Sequence, residues 1–250
     1  MNLQFASGGE GPRLLVLLHG LGTNRQVWDA MLACAAARWR GTWMAPDLRG
    51  HGQSPRADSY ALGLHAADVA ETVAGAWSEV VVVGHSMGGV IALALGSGWF
   101  GVAPNCVLGL GIKVAWSEEE LAQLTRMASA PIRWFDTRQE AIARYLKVSG
   151  LAGLVAPDSP AAGTGVTQGE NGWRLAADPG AAAIGPPPMR ALVAACRAPF
   201  RLGRGEQDPL VSQDQLEAFD PKASEFAGLG HNAMVQDPDA IWRWIDEMRS

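Results

Sequence analysis

Residues 80–93, Val80-Val81-Val82-Val83-Gly84-His85-Ser86-Met87-Gly88-Gly89-Val90-Ile91-Ala92-Leu93, pass from β-branched to helix-forming sequence across a glycine-rich gap that holds one serine. Four consecutive valines predict a buried strand, because branched side chains suit a pleated surface covered on both faces. The apolar run after Gly89 predicts a helix to about Leu95. A serine between the two must reverse the chain abruptly, which pushes its backbone toward positive φ and crowds the positions two before and two after it. Glycines 84 and 88 stand at those positions, and Gly89 adds a further small residue for close helix packing. A strand, G-x-S-x-G and a helix in that order form a turn that presents Ser86 as a nucleophile.

A serine hydroxyl needs a base to take its proton. Of the five histidines, His231 is the expected base, because Gly228-Leu229-Gly230-His231-Asn232 is a flexible loop between the last strand and the last helix. In a doubly wound sheet that loop emerges at the same edge as Ser86. His65 reads as a solvated surface residue, His85 as a packing residue and His51 as part of a structural Gly-His-Gly turn, while His19 directly follows a strand. Asp208, in Arg204-Gly205-Glu206-Gln207-Asp208-Pro209, is the expected partner that orients the imidazole. Glu206 is its rival in the same loop, and Glu118 to Glu120 are rivals outside it. Two backbone N–H groups would receive an oxyanion: Met87, which opens a helix, and Leu21, in the glycine turn Leu18-His19-Gly20-Leu21-Gly22.

The rest of the chain frames this site. At 250 residues, with 48% hydrophobic and 18% charged, it can fill one large core. A formal charge of −5 with no basic cluster argues against nucleic acid or an anionic membrane as partner and makes a small neutral molecule the more natural one. Cys34, Cys106 and Cys196 lack metal-binding or disulfide spacing and read as reduced, buried thiols; no metal is expected. The apolar run Leu14–Leu18 is too short for a signal or a membrane span, so cytoplasm is the expected compartment.

Short β-branched runs alternate with helical patterns, which implies parallel strands joined by crossover helices. Strands are expected at 13–18, 42–45, 80–83, 106–110, 200–202 and 223–226. Helices are expected at 26–38, around Val69, Val73 and Trp77 on one face, and from Pro238 with Asp237 as N-cap and Ile241, Ile245 and Met248 on one face. Between 113 and 197 helical stretches (118–128, 138–147) are separated by Ala/Gly/Pro-rich segments and no strand is expected. Residues 1–112 and 198–250 therefore form the α/β core, and 113–197 a helical cap over the C-terminal edge of the sheet. Trp28, Trp116 and Trp134, with Met87, are expected to line an apolar pocket.

The stretches LLHGLGTNRQVW (17–28), PDLRGHGQS (46–54), GHSMGG (84–89), GEQDPLV (205–211) and GLGHNAMVQDP (228–238) together resemble the α/β-hydrolase fold family, and within it small bacterial serine esterases and lactonases. The resemblance implies a mostly parallel eight-stranded sheet flanked by helices, a helical cap, no cofactor, the triad Ser86, Asp208 and His231, and an oxyanion hole at Leu21 and Met87. It implies hydrolysis of a carboxylic ester or lactone of a small, largely apolar substrate through an acyl-enzyme. Carbon–carbon bond hydrolysis or perhydrolysis would use the same residues. A ligand-binding receptor built on the same pocket is the alternative from another class.

Overall fold

The computed structural model describes residues 1–249. In chain order the strands are β1 (Phe5–Gly8), β2 (Arg13–Leu18), β3 (Thr42–Pro46), β4 (Glu79–His85), β5 (Cys106–Leu110), β6 (Val166–Gly169), β7 (Gly172–Leu175), β8 (Phe200–Gly205) and β9 (Ser224–Phe226). The helices are α1 (Asp29–Leu32), α2 (Ala35–Arg38), α3 (Leu62–Thr72), α4 (Met87–Gly96), α5 (Glu118–Ala128), α6 (Arg138–Val148), α7 (Pro160–Gly163), α8 (Met189–Ala195), α9 (Gln213–Glu217), α10 (Ala233–Gln236) and α11 (Pro238–Arg249). The central sheet runs β1-β3-β2-β4-β5-β8-β9, and each pairing in it is parallel except β1 with β3.

Both faces of this sheet are covered, and the alternation of side chains assigns each residue to a face. Leu14, Val16, Leu18, Val80 and Val82 join α3, α4 and α8 in one cluster. Their neighbours Leu15, Leu17, Val81 and Val83 join Trp28, Met31, Trp242 and Ile245 in the other. All ten residues of α4 are buried, so its apolar run reflects coverage on every side. Each fully buried Val, Leu or Ile contributes roughly 1.5–3 kcal/mol, so these central strands and α4 contribute heavily to stability.

Among the described residues the central sheet has seven strands in place of the expected eight. The edge strand β1 adds antiparallel to β3, and its sequence, FASG, has no buried residue that would have signalled a strand. The expected helix 26–38 is a 3-10 turn (Arg25–Trp28) followed by α1 and α2. The chain turns at Cys34 (φ −101°, ψ −1°), yet Val27, Trp28, Met31 and Ala35 still bury one face. Trp77 lies beyond α3, which ends at Thr72; the Val73 carbonyl instead accepts the Trp77 Nε1–H at 2.9 Å across Gly75. The last helix matches its signals, with the Asp237 side chain accepting the Ala240 N–H at 2.9 Å and Ile241 and Ile245 buried.

The segment 113–197 is not wholly helical. It carries the antiparallel hairpin β6–β7, closed at Glu170-Asn171, with Gln168 facing Trp173. Asn171 in the two-residue loop and Gly172 just after it, with φ 109°, are turn-forming residues whose signal the weakly apolar flanks concealed. Of the thiols, Cys106 is buried as expected, Cys196 is half-buried and Cys34 is exposed on the outer side of its broken helix. Among the described residues no helix is long and apolar enough to cross a membrane.

Candidate active site

Ser86 stands between β4 and α4 with φ 51° and ψ −116°, and among the described residues it alone of the non-glycines has positive φ. The glycines explain how that turn is tolerated. A Cβ on Gly84 would lie 2.1 Å from the Gly88 carbonyl oxygen, and one on Gly88 would lie 2.3 Å from that of Leu18. Backbone at such distances has no means of yielding, so the motif's spacing is steric. The Ser86 N–H donates to the Leu110 carbonyl at 2.7 Å, tying the turn to β5.

His231 is positioned from the opposite side of the site. Its Nδ1 lies 2.9 Å from Asp208 Oδ2. The other carboxylate oxygen accepts the Leu210 N–H at 2.9 Å, so both oxygens of this buried group are engaged. An ionised carboxylate only accepts, hence Nδ1 carries the proton and Nε2 is left as the free acceptor. Glu206, the rival acid, points away and accepts the Gly228 N–H at 2.7 Å. Glu118 to Glu120 sit in the first turn of α5, where Glu120 pairs with Lys113 and closes a capping box with Ser117.

Arg204 is a residue the sequence reading missed. It is buried in β8, donates to the carbonyls of Val211, Glu206 and Asp208, and pairs with Glu225. One guanidinium thus holds the whole loop that carries Asp208, and only the hairpin-like return of that loop reveals it. Asn232 does the equivalent on the other side, donating to the Ser149 and Gly150 carbonyls at 3.1 and 3.2 Å at the end of α6.

Of the four histidines besides His231, three bond the loops of the site and the fourth is buried without a hydrogen bond. His19 Nε2 accepts the Leu48 N–H at 2.9 Å, so its Nδ1–H donates to the Gly20 carbonyl at 2.8 Å. His51 Nε2 accepts the Gly22 N–H at 3.1 Å, so its Nδ1–H donates to the Arg49 carbonyl at 2.9 Å. The His85 Nε2–H donates to the His231 carbonyl at 2.9 Å, and the two rings lie 4.5 Å apart. His65 is fully buried on the inner face of α3 with neither ring nitrogen bonded, which corrects its reading as a surface residue. His51 takes the Gly22 amide, and neither Leu21 nor Met87 N–H has a protein partner among the described residues.

Burial pushes His19 down to about 4 and both His51 and His65 down to about 3. The unfolded chain takes up those protons near pH 6.5, whereas the folded protein refuses them until far lower. Stability from these groups is therefore complete above about pH 6.5 and is lost as pH falls toward 4, at about 1.4 kcal/mol per pH unit for each histidine. Urea midpoints at pH 7.5, 5.5 and 4.5 should fall progressively, and His65→Leu should reduce the slope. A midpoint that is level across this range would contradict the assignment.

Ser86, Met87, Leu21 and His231 open into one cavity of about 800 Å³ beneath the 113–197 segment. Trp116 lines it as expected, together with Val90, Leu124, Phe135 and Ile184. Trp28 does not: it is fully buried in the core beside Met31. Trp134 is also absent from the lining, since its ring packs on the hairpin where a Cβ on Gly169 would lie 2.6 Å away.

Residues 15–244 match the model of the alpha/beta hydrolase family. Protein phosphatase methylesterase 1 of Mus musculus is 38% identical over 95 residues, which are 36% of this chain and 24% of that protein. The chain spans about a quarter of the length of the curated relatives it matches. Among solved structures, E-2-(acetamidomethylene)succinate hydrolase superposes with a TM-score of 0.78 at 23% identity, covering 98% of this chain and 94% of that one. A thermophilic esterase from Thermogutta terrifontis superposes at 0.69 with 20% identity, covering 99% and 94%.

Proposed function

Since this chain belongs to the alpha/beta hydrolase family, we propose that it is a serine hydrolase that cleaves a carboxylic ester or lactone through an acyl-enzyme on Ser86. One observation carries the proposal: the histidine whose Nδ1 is held 2.9 Å from Asp208 opens, with Ser86, onto the same cavity. The methylesterase relative supports ester chemistry over carbon–carbon cleavage. The apolar part of the cavity supports a substrate with hydrocarbon character.

In the proposed reaction the substrate carbonyl lies above Ser86, its oxygen facing the Leu21 and Met87 N–H groups. Ser86 Oγ bonds to the carbonyl carbon as its proton passes to His231 Nε2, and the oxyanion that forms is held by the two amides. Collapse breaks the carbon–oxygen bond of the leaving group, which departs with the proton from His231. Water then attacks the acyl-enzyme, giving its proton to His231, and the returning proton frees Ser86. Asp208 stabilises the transient imidazolium and keeps the Nδ1–H tautomer throughout.

A fluorophosphonate probe is expected to add once to the folded protein at Ser86 and not to Ser86→Ala, as read by intact-mass and peptide mass spectrometry. An unlabelled folded protein would remove the nucleophile. A receptor built on the same pocket would be labelled but would turn over p-nitrophenyl butyrate once; repeated turnover separates the two.

A further inference from the structure

The charge on the cavity wall is opposite to that of the chain. The protein carries 25 acidic against 20 basic residues, yet the cavity is lined by Lys113, Arg133, Arg144, Lys147 and Arg174 against the single carboxylate Asp178. Lys113 is satisfied by Glu120 at 2.6 Å. Among the described residues the other four cations have no carboxylate within ion-pair distance. Asp178 is already occupied: its Oδ1 accepts the Gly180 N–H at 2.9 Å, while Oδ2 accepts the Tyr60 hydroxyl at 2.9 Å and lies 3.7 Å from Arg56.

The placement of these cations follows from how α6 is packed. Its Ala141, Ile142, Tyr145 and Leu146 face the core, so Arg144, Lys147 and Val148, at spacings of three and four, form a second stripe that faces the cavity. The end of that helix is bonded to Asn232, the neighbour of His231. Strand β7 packs against α6 and brings Arg174 to the same wall. Burial first, and the charge of Arg56 second, hold the Arg174 guanidinium below its ordinary value, with Asp178 opposing them in part, and the guanidinium donates to the Leu175 carbonyl at 3.0 Å.

We infer that the substrate bears an anionic group, a carboxylate or a phosphate, which Arg144, Lys147 and Arg174 receive while its carbonyl lies at Ser86. The inference rests on the hydrolase proposal and replaces the neutral substrate expected from the overall charge. The acidic body of the protein says nothing about the local field: Arg133, Arg144 and Lys147 are exposed at the cavity and Arg174 is half-buried, so together they concentrate an anionic ligand there in a salt-dependent way.

Two matched substrate pairs test it. The first puts the anion on the acyl side: p-nitrophenyl hydrogen glutarate against p-nitrophenyl pentanoate. The second puts phosphates on the leaving group: butyryl-coenzyme A against S-butyryl-N-acetylcysteamine. In one pair the anionic member should have kcat/KM about tenfold or more above its neutral counterpart at low salt. That ratio should fall several-fold in Arg144→Gln/Lys147→Gln and again when salt is raised, but not in Arg40→Gln, which lies at the opposite edge of the sheet before β3. The pair that responds identifies which end carries the charge. Equal rates within both pairs would overturn the inference and leave the hydrolase proposal standing. If no compound turns over, the hydrolase proposal fails. Calorimetric binding of the same pairs to Ser86→Ala then decides the inference alone: preferential binding of an anionic member supports it, and equal or absent binding overturns it.

Discussion

Ser86→Ala is expected to lower kcat/KM for p-nitrophenyl butyrate by at least about 10⁴-fold while leaving the fold intact. The size follows from the role proposed for Oγ: without it no acyl-enzyme forms, and only binding and the oxyanion amides remain to assist water. The fold should survive because the Ser86 side chain bridges no structural partner; the N–H to Leu110 and the carbonyl bonds to α4 belong to the backbone. A companion variant separates chemistry from strain. At φ 51° and ψ −116° any residue with a Cβ is strained, at a cost of order 1–3 kcal/mol, and alanine keeps that cost whereas glycine removes it. Ser86→Gly should be equally inactive but melt higher than Ser86→Ala, by roughly 2–4 °C for each kcal/mol recovered in a domain of this size. Retained turnover in either variant would place the chemistry elsewhere. A glycine variant no more stable than the alanine one would mean that the turn is relaxed.

Asp208→Asn is expected to reduce kcat by about 10³–10⁴-fold, with little change in KM and little loss of stability. The amide can still accept the Leu210 N–H and fill the same space, but it carries no charge to stabilise an imidazolium. Its NH₂ also competes to donate to His231, which favours the tautomer with its proton on Nε2, unable to take one from Ser86. Glu206→Gln should leave kcat within about twofold, because the Glu206 carboxylate serves the Gly228 amide and does not reach the imidazole. The reverse pattern in steady-state kinetics would transfer the role to Glu206. Removing Arg204 should act through position: it bonds the Asp208 carbonyl, so a loosened loop would lower kcat and stability together.

Much of the site was legible because its demands are local. The turn at Ser86 needs small residues at fixed offsets, and the sequence displays them at 84, 88 and 89. The order of Ser86, Asp208 and His231 was legible for a different reason: parallel strands return their C-terminal loops to one edge, so residues after β4, β8 and β9 meet once strand order is known. His65 was misread because α3 has little apolar contrast, and its burial depends on the strands and on α4 packed above it. Trp28 and Trp134 were misread for the same reason. An aromatic next to a site motif fits a pocket or a core equally well until the neighbouring elements claim it.

The amino-acid sequence by itself determined the α/β alternation, the strained turn and the residues proposed for nucleophilic chemistry. All of these rest on spacings within one or two turns of chain, where sterics and hydrogen bonding act directly. Tertiary structure alone decided the seven-strand count, the hairpin inside the 113–197 segment, the tautomers of His19 and His51, the support given by Arg204 and the cationic wall of the cavity. Each of these depends on groups far apart in sequence: which carbonyl faces a ring nitrogen, which carboxylate is already engaged, and which stripe of α6 is left over after its apolar stripe is buried. A count of charges along the chain averages over such placements, which is why an acidic protein could conceal a basic site.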